Sequence, residues 1–217
     1  MVFFLVAFYV AGPPSRRFRV PAMISQLLRS NPHGWVIVLV SFVALGVVMS
    51  MRATLGLLMP VWEAELGWSR SFISAGGSVL LLVMAAVAPV AGELLDRHGP
   101  RYLFGAGLLM VGLALALASG MEQEWQFIVF FCVVGGLGCG IIGIPLITTT
   151  IAMSFEANRG IATAMGTAGV SVGQLLLVPF LSVLFTAIGW RTGYTGYGVF
   201  LGVLAALALL LIRATAD

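Results

Sequence analysis

Lysine is missing from this 217-residue chain and charge of any kind is scarce, with only 9% of residues charged and all eleven basic ones arginine. A soluble domain is typically about a quarter charged and half apolar. Here 60% of residues are hydrophobic and the mean hydropathy is +1.09, which excludes a soluble globular domain and defines a polytopic membrane protein. The all-arginine usage reflects base composition and not chemistry. A pI near 9.3 could suggest nucleic acid, but the arginines sit scattered at the ends of apolar runs and form no basic stripe, so no nucleic-acid partner is expected. Cysteine is nearly absent. Cys132 and Cys139 are seven positions apart in one apolar run, about 10 Å along a helix axis, too far for a disulfide; they read as packing residues. There is no His-Glu-x-x-His metal site, no G-x-S-x-G elbow and no carboxylate pair within an apolar run, which argues against an intramembrane enzyme and gives no metal or cofactor to expect. Gly135-Gly136-Leu137-Gly138 imitates a nucleotide loop, but no strand precedes it.

What is present is six long apolar runs. The spacing predicts an all-α fold with spans over 35–58, 71–93, 102–119, 125–153, 160–188 and 194–212, in one bundle over 35–213. Residues 1–34 form a separate cytoplasmic segment without further assignment: eleven apolar residues before Gly12-Pro13-Pro14 are too short to span and lack the marks of a signal peptide. Met59 to Arg70 reads as an amphipathic outer loop whose Trp62 and Trp68 suit the interfacial belt. Eight arginines (Arg16, Arg17, Arg19, Arg29, Arg97, Arg101, Arg159, Arg213) fall on one side, against Arg70 and Arg191 on the other. That asymmetry predicts both termini in the cytoplasm.

The charged island Gly92-Glu93-Leu94-Leu95-Asp96-Arg97-His98-Gly99-Pro100-Arg101-Tyr102, between spans 2 and 3, has the form G-x-x-x-D-R-x-G-x-R. It resembles the helix 2–helix 3 loop of the major facilitator superfamily of secondary transporters, departing only at Tyr102, where a second basic residue is usual. The resemblance implies a cytoplasmic conformational-switch loop: Gly92 lets helix 2 pack on the other half, Asp96 caps a helix end across that interface, Arg97 and Arg101 are the basic partners, and Gly99 belongs to the same loop. It also implies a bundle of two inverted three-helix repeats. Six spans are half of the superfamily's twelve, so the chain resembles the amino-terminal half and would need a second six-helix bundle, from a homodimer or a separate chain. A weak echo, Arg97-His98-Gly99 against Arg191-Thr192-Gly193, falls at equivalent turns of the two repeats.

Arg52 is the one charge within a span. A mid-span charge is costly, so it faces a wet cavity or a partner, and no acid in the spans can pair with it; snorkelling toward Glu63 and Glu65 is the competing reading. Arg52-Ala53-Thr54-Leu55-Gly56, then Pro60 and Glu65 to Arg70, and Arg159-Gly160-Ile161-Ala162 on to Gly166, Gly169 and Gly173 are similar to the branch containing monocarboxylate transporters and oxalate:formate antiporters. That likeness implies a small organic anion as substrate, with a proton or counter-anion, moved by alternating access. Gln174 in span 5 seeks hydrogen-bond partners that lipid cannot offer, from substrate or a neighbouring helix. Gly166, Gly169 and Gly173 suit close helix packing, Pro145 and Pro179 suit kinks, and Thr148 to Thr150 can bond their own helix. The competing function is a truncated or non-transporting half-protein. Partners expected are the lipid bilayer and the anion, in the cell membrane, here the inner membrane of a bacterium.

Overall fold

The computed structural model describes residues 32–155 and 159–214. Nearly all of the amino-terminal segment, and the turn at Glu156, lie outside them. Six helices are long and apolar enough to cross a membrane. We label them α1 (Pro32–Leu66), α2 (Arg70–His98), α3 (Pro100–Ala118), α4 (Glu124–Ser154), α5 (Arg159–Ile188) and α6 (Trp190–Ala214).

The first correction is at the end of α1. The helix does not stop at Leu58 but continues through Pro60 to Leu66, because Leu58 and Trp62 recur one turn apart and both are buried. Three turns are made by glycines in positive φ, Gly67, Gly99 and Gly189, a conformation an L side chain adopts only under strain. Ser69 caps α2 by accepting from the Phe72 amide at 3.2 Å.

α4 is the most irregular helix. It winds as a π-helix over Phe127–Val134, as an α-helix over Gly135–Ile141, breaks at Ile142 and Gly143, and resumes at Ile144–Ser154 with Pro145 in its first turn. Proline there gives up an amide that would be unsatisfied anyway. α5 is interrupted only around Ala168, where amide bonds from Ala168 to Ala164 and from Val172 to Ala168 carry the helix across.

Between helices in lipid no hydrophobic force acts, so close van der Waals approach decides which pairs pack. Glycines mark each principal crossing. A Cβ on Gly169 would lie 2.1 Å from the Phe42 carbonyl oxygen, and one on Gly173 2.5 Å from the backbone of Gly46, so α1 and α5 touch main chain to main chain. On the other side Gly136 and Gly140 of α4 press on Leu80, Val83, Met84 and Val87 of α2, while Gly112 of α3 and Gly198 of α6 face one another's carbonyls. The principal pairs are thus α1 with α5, α4 with α2, α3 with α6 and α3 with α4. Exchanging the triplets α1–α3 and α4–α6 maps the first three onto one another, as two interleaved three-helix repeats require, whereas the α3–α4 packing has no counterpart of similar extent between α6 and α1.

Trp62 is a second correction. It is fully buried, not in the lipid interface, with edge-on contacts to Phe127, Phe131, Trp190 and Tyr194. Trp68 is buried against it. Rings from α1, α2, α4 and α6 therefore close one end of the bundle.

Candidate functional site

The site builds from α1 outward. One side of the helix carries Ser50 and Thr54, fully buried; the opposite side carries Arg52, Gly56 and Pro60, exposed. A buried hydroxyl in an apolar bundle has to be satisfied within it. Ser50 Oγ donates to Gly46 O at 2.7 Å and reaches Gly173 O at 3.3 Å. Thr54 Oγ1 donates to Met51 O at 2.7 Å and shares a 2.8 Å hydrogen bond with Tyr194 Oη. Tyr197 Oη donates to Val47 O at 2.9 Å, and the Cys139 thiol lies 3.6 Å from Met51 Sδ. These contacts hold α1 against α4, α5 and α6 and fix the azimuth at which Arg52 projects.

Among the described residues Arg52 has only a soft hydrogen-bond partner, Met49 Sδ at 3.6 Å from Nη1. The two ion pairs among the described residues, Arg70–Glu63 at 2.7 Å and Arg97–Glu93 at 2.6 Å, use neither Arg52 nor Asp96. Glu63 is therefore engaged by Arg70, away from Arg52. Gln174 is exposed, and among the described residues no hydrogen bond reaches it. The Ser50–Gly173 contact sets its level on α5 close to that of Arg52 on α1, but the structure does not join the two side chains to each other.

The α2–α3 turn holds the other candidates. Gly92 and Asp96 are exposed, and a Cβ on Gly92 would meet nothing within 4 Å. Close packing at Gly92 is thus not demanded by this bundle. Arg97 is held by Glu93 one turn back on α2. Gly99 makes the turn at φ 77°. The Arg101 guanidinium lies over the Tyr102 ring at 5.5 Å, with Nε buried and without a hydrogen-bond partner. A narrow cleft separates Gly92 from the α4 break and is lined by Ala88, Leu95, Gly140, Pro145 and Thr149.

Gly166 faces Ile151 of α4 through side-chain atoms, unlike Gly169 and Gly173, which meet backbone. Thr148 and Thr150 bond back to Pro145 O and Leu146 O. Sequence reasoning passed over Ser50, Thr54, Tyr194 and Tyr197. Their signal was a pair of hydroxyls one turn apart on the side of α1 opposite Arg52, and two tyrosines one turn apart in α6.

The equivalence of the repeats is also clearer in the structure than in the sequence echo. Gly99 and Gly189 share one conformation, φ 77° ψ 168° and φ 80° ψ 150°, and each is followed two residues on by an arginine over a neighbouring ring, Arg101 on Tyr102 and Arg191 on Trp190. The repeats therefore align Gly99 with Gly189, not with Gly193.

Six apolar helices in interleaved triplets, with one arginine exposed in the middle of α1, define a multi-pass membrane bundle. The chain belongs to the Major Facilitator Superfamily, whose family model matches residues 40–217. It is 27% identical over 171 residues to human monocarboxylate transporter 14, covering 76% of this chain and 33% of that protein. To rat monocarboxylate transporter 1 it is 28% identical over 163 residues, 74% of this chain and 32% of the relative. The MFS-type transporter pytF of Aspergillus terreus is 28% identical over 185 residues, 84% of this chain and 57% of that protein. The chain thus spans about a third of the length of the monocarboxylate relatives it matches.

Proposed function

We propose that this chain is the amino-terminal bundle of a secondary transporter for a small organic anion such as a monocarboxylate, working by alternating access against a second six-helix bundle. The observation that carries the reading is Arg52: an exposed guanidinium within a membrane-spanning helix, with no carboxylate partner among the described residues. A desolvated guanidinium binds carboxylate through two parallel hydrogen bonds, and a carboxylate substrate would offset what the unpaired charge costs. The likeness to monocarboxylate transporters supports the substrate class.

In this reading Gln174 adds a neutral hydrogen-bonding group to the same cavity. Gly92, Asp96, Arg97, Gly99 and Arg101 form the switch loop, with Gly92 and Asp96 open for the second bundle, supplied by another copy or a separate chain. Gly166, Gly169 and Gly173 form the packing surface on which α5 rocks. The arginine asymmetry puts the α2–α3 turn and both termini in the cytoplasm of a cell whose inner membrane holds the protein. A proton or a counter-anion would provide coupling.

The test is uptake of radiolabelled lactate, formate and oxalate into proteoliposomes containing the folded chain, compared with Arg52→Ala and Arg52→Lys. Saturable uptake abolished by alanine and weakened by lysine is the expected result. Uptake indifferent to Arg52→Ala overturns the assignment of the anion site; no uptake by the folded chain favours a half-protein that does not transport without its partner bundle.

A further inference from the structure

We infer that the groove between α2 and α3 is a binding site for an anionic phospholipid, with one acyl chain along the groove and the phosphate at Arg101. The two helices leave their shared turn and diverge, each packing on α4 more than on the other. Between them opens a groove of about 560 Å³. His98 and Tyr102 form its mouth, Val90 and Leu94 one wall, Ala106 and Met110 the other, and Ile141 part of its floor.

Its dimensions follow the bilayer. The mouth lies at the charged turn, where headgroups sit, and Tyr102 to Met110 is eight residues of helix, about 12 Å. That is most of one leaflet of a hydrocarbon core about 30 Å thick. Exposed alanines, Ala86 and Ala106, leave room where larger side chains would fill the channel.

Charge selects the headgroup. Arg97 is engaged by Glu93, whereas Arg101 has no acidic partner among the described residues, and its guanidinium is held over Tyr102 at the mouth. A cation fixed at the end of an apolar channel between membrane helices favours a headgroup of net negative charge over a zwitterion, whose own ammonium already neutralises the phosphate.

The repeat supplies an internal contrast. At the opposite end, beside the corresponding Gly189 turn, a groove runs between α1 and α5 and includes Val61, Ser182 and Phe185. Its mouth carries a carboxylate, Glu65, bonded to Trp190 at 2.7 Å, and its arginine is occupied, since Arg191 Nη1 donates to Ser119 O at 3.1 Å. Anionic lipid is disfavoured there. The inference needs only the membrane embedding of the bundle and does not depend on transport.

The experiment places the chain in phosphatidylcholine nanodiscs with a trace of phosphatidylglycerol, or in parallel phosphatidylcholine, carrying a photoreactive diazirine in one acyl chain, and maps the adducts by mass spectrometry. Phosphatidylglycerol should label the α2 and α3 peptides holding Val90, Leu94 and Met110 about five-fold more than phosphatidylcholine, the preference one surface cation confers. The outer groove should show no such ratio. Arg101→Gln should bring the inner ratio close to one, Arg101→Lys should keep most of it, and Ala106→Phe should reduce labelling by both probes. Circular dichroism and monodisperse elution confirm that each variant is folded. A ratio near one in the wild-type chain, or one unchanged by Arg101→Gln, overturns the site and leaves ordinary annular lipid.

Discussion

The α2–α3 turn and the α5–α6 turn are one backbone module used twice. Each is a glycine at φ near 80°, with an arginine two residues later lying over an aromatic ring. Their surroundings differ. At the α5–α6 turn the aromatic ring, Trp190, is 3% exposed and donates to Glu65, while Arg191 is tied to the end of α3 at Ser119. At the α2–α3 turn Tyr102 is 59% exposed, Arg101 Nε has no partner, and Asp96 forms no ion pair among the described residues. The same geometry is closed into the bundle at one end and left with unused donors and acceptors at the other. The module by itself builds a turn; its neighbours decide whether it is structural or available for binding.

The sharpest way to break that contrast is to remove both rings. Trp190→Ala should cost about 3–5 kcal/mol, the usual penalty for deleting a buried large aromatic, whereas Tyr102→Ala should stay within about 0.5 kcal/mol, as for an exposed site. Unfolding of the purified chain followed in mixed micelles measures both, and comparable losses would mean that the two turns are equally structural. Next come the glycines. Gly99→Val and Gly189→Val force the same disfavoured φ on a branched residue, at about 1–3 kcal/mol each, so similar losses confirm that the module is shared and a loss at one position alone refutes it. Smallest in stability is Asp96→Asn, which should leave the unfolding midpoint unchanged while lowering transport by the assembled carrier. A shifted midpoint would place Asp96 among the groups that hold this bundle together.

Much of this architecture is visible in the chain itself, because six apolar runs and a charged island between two of them leave few alternatives. Where the reading failed, the cause was local. Met59 to Leu66 contains a proline and two glutamates and looks like a loop, yet Leu58 and Trp62 are spaced to bury one side while Pro60 and Glu63 stay on the other. Trp62 reads as interfacial by residue type; the rings packed on it from α4 and α6 make it a core position. The π-helical winding of Phe127–Val134 leaves no signature in a run of uniformly apolar residues. Arg52 stood out because charge in a span is rare, but Ser50 and Thr54 beside it did not, since a hydroxyl in a membrane helix often bonds only to its own backbone. That Thr54 meets Tyr194 is a fact of assembly that α1 alone does not carry.

The bonds that hold α1 also have a schedule. Ser50 waits for Gly173, 123 residues later, and Thr54 for Tyr194, 140 residues later. At a synthesis rate of roughly 5–20 residues per second, α1 is made on the order of ten seconds before the helices that satisfy it. It makes little contact with α2 and α3, so completing the first triplet does not settle it. Of the six helices described, the earliest made is therefore among the last to be fully packed, and during that interval its hydroxyls have only their own helix to bond.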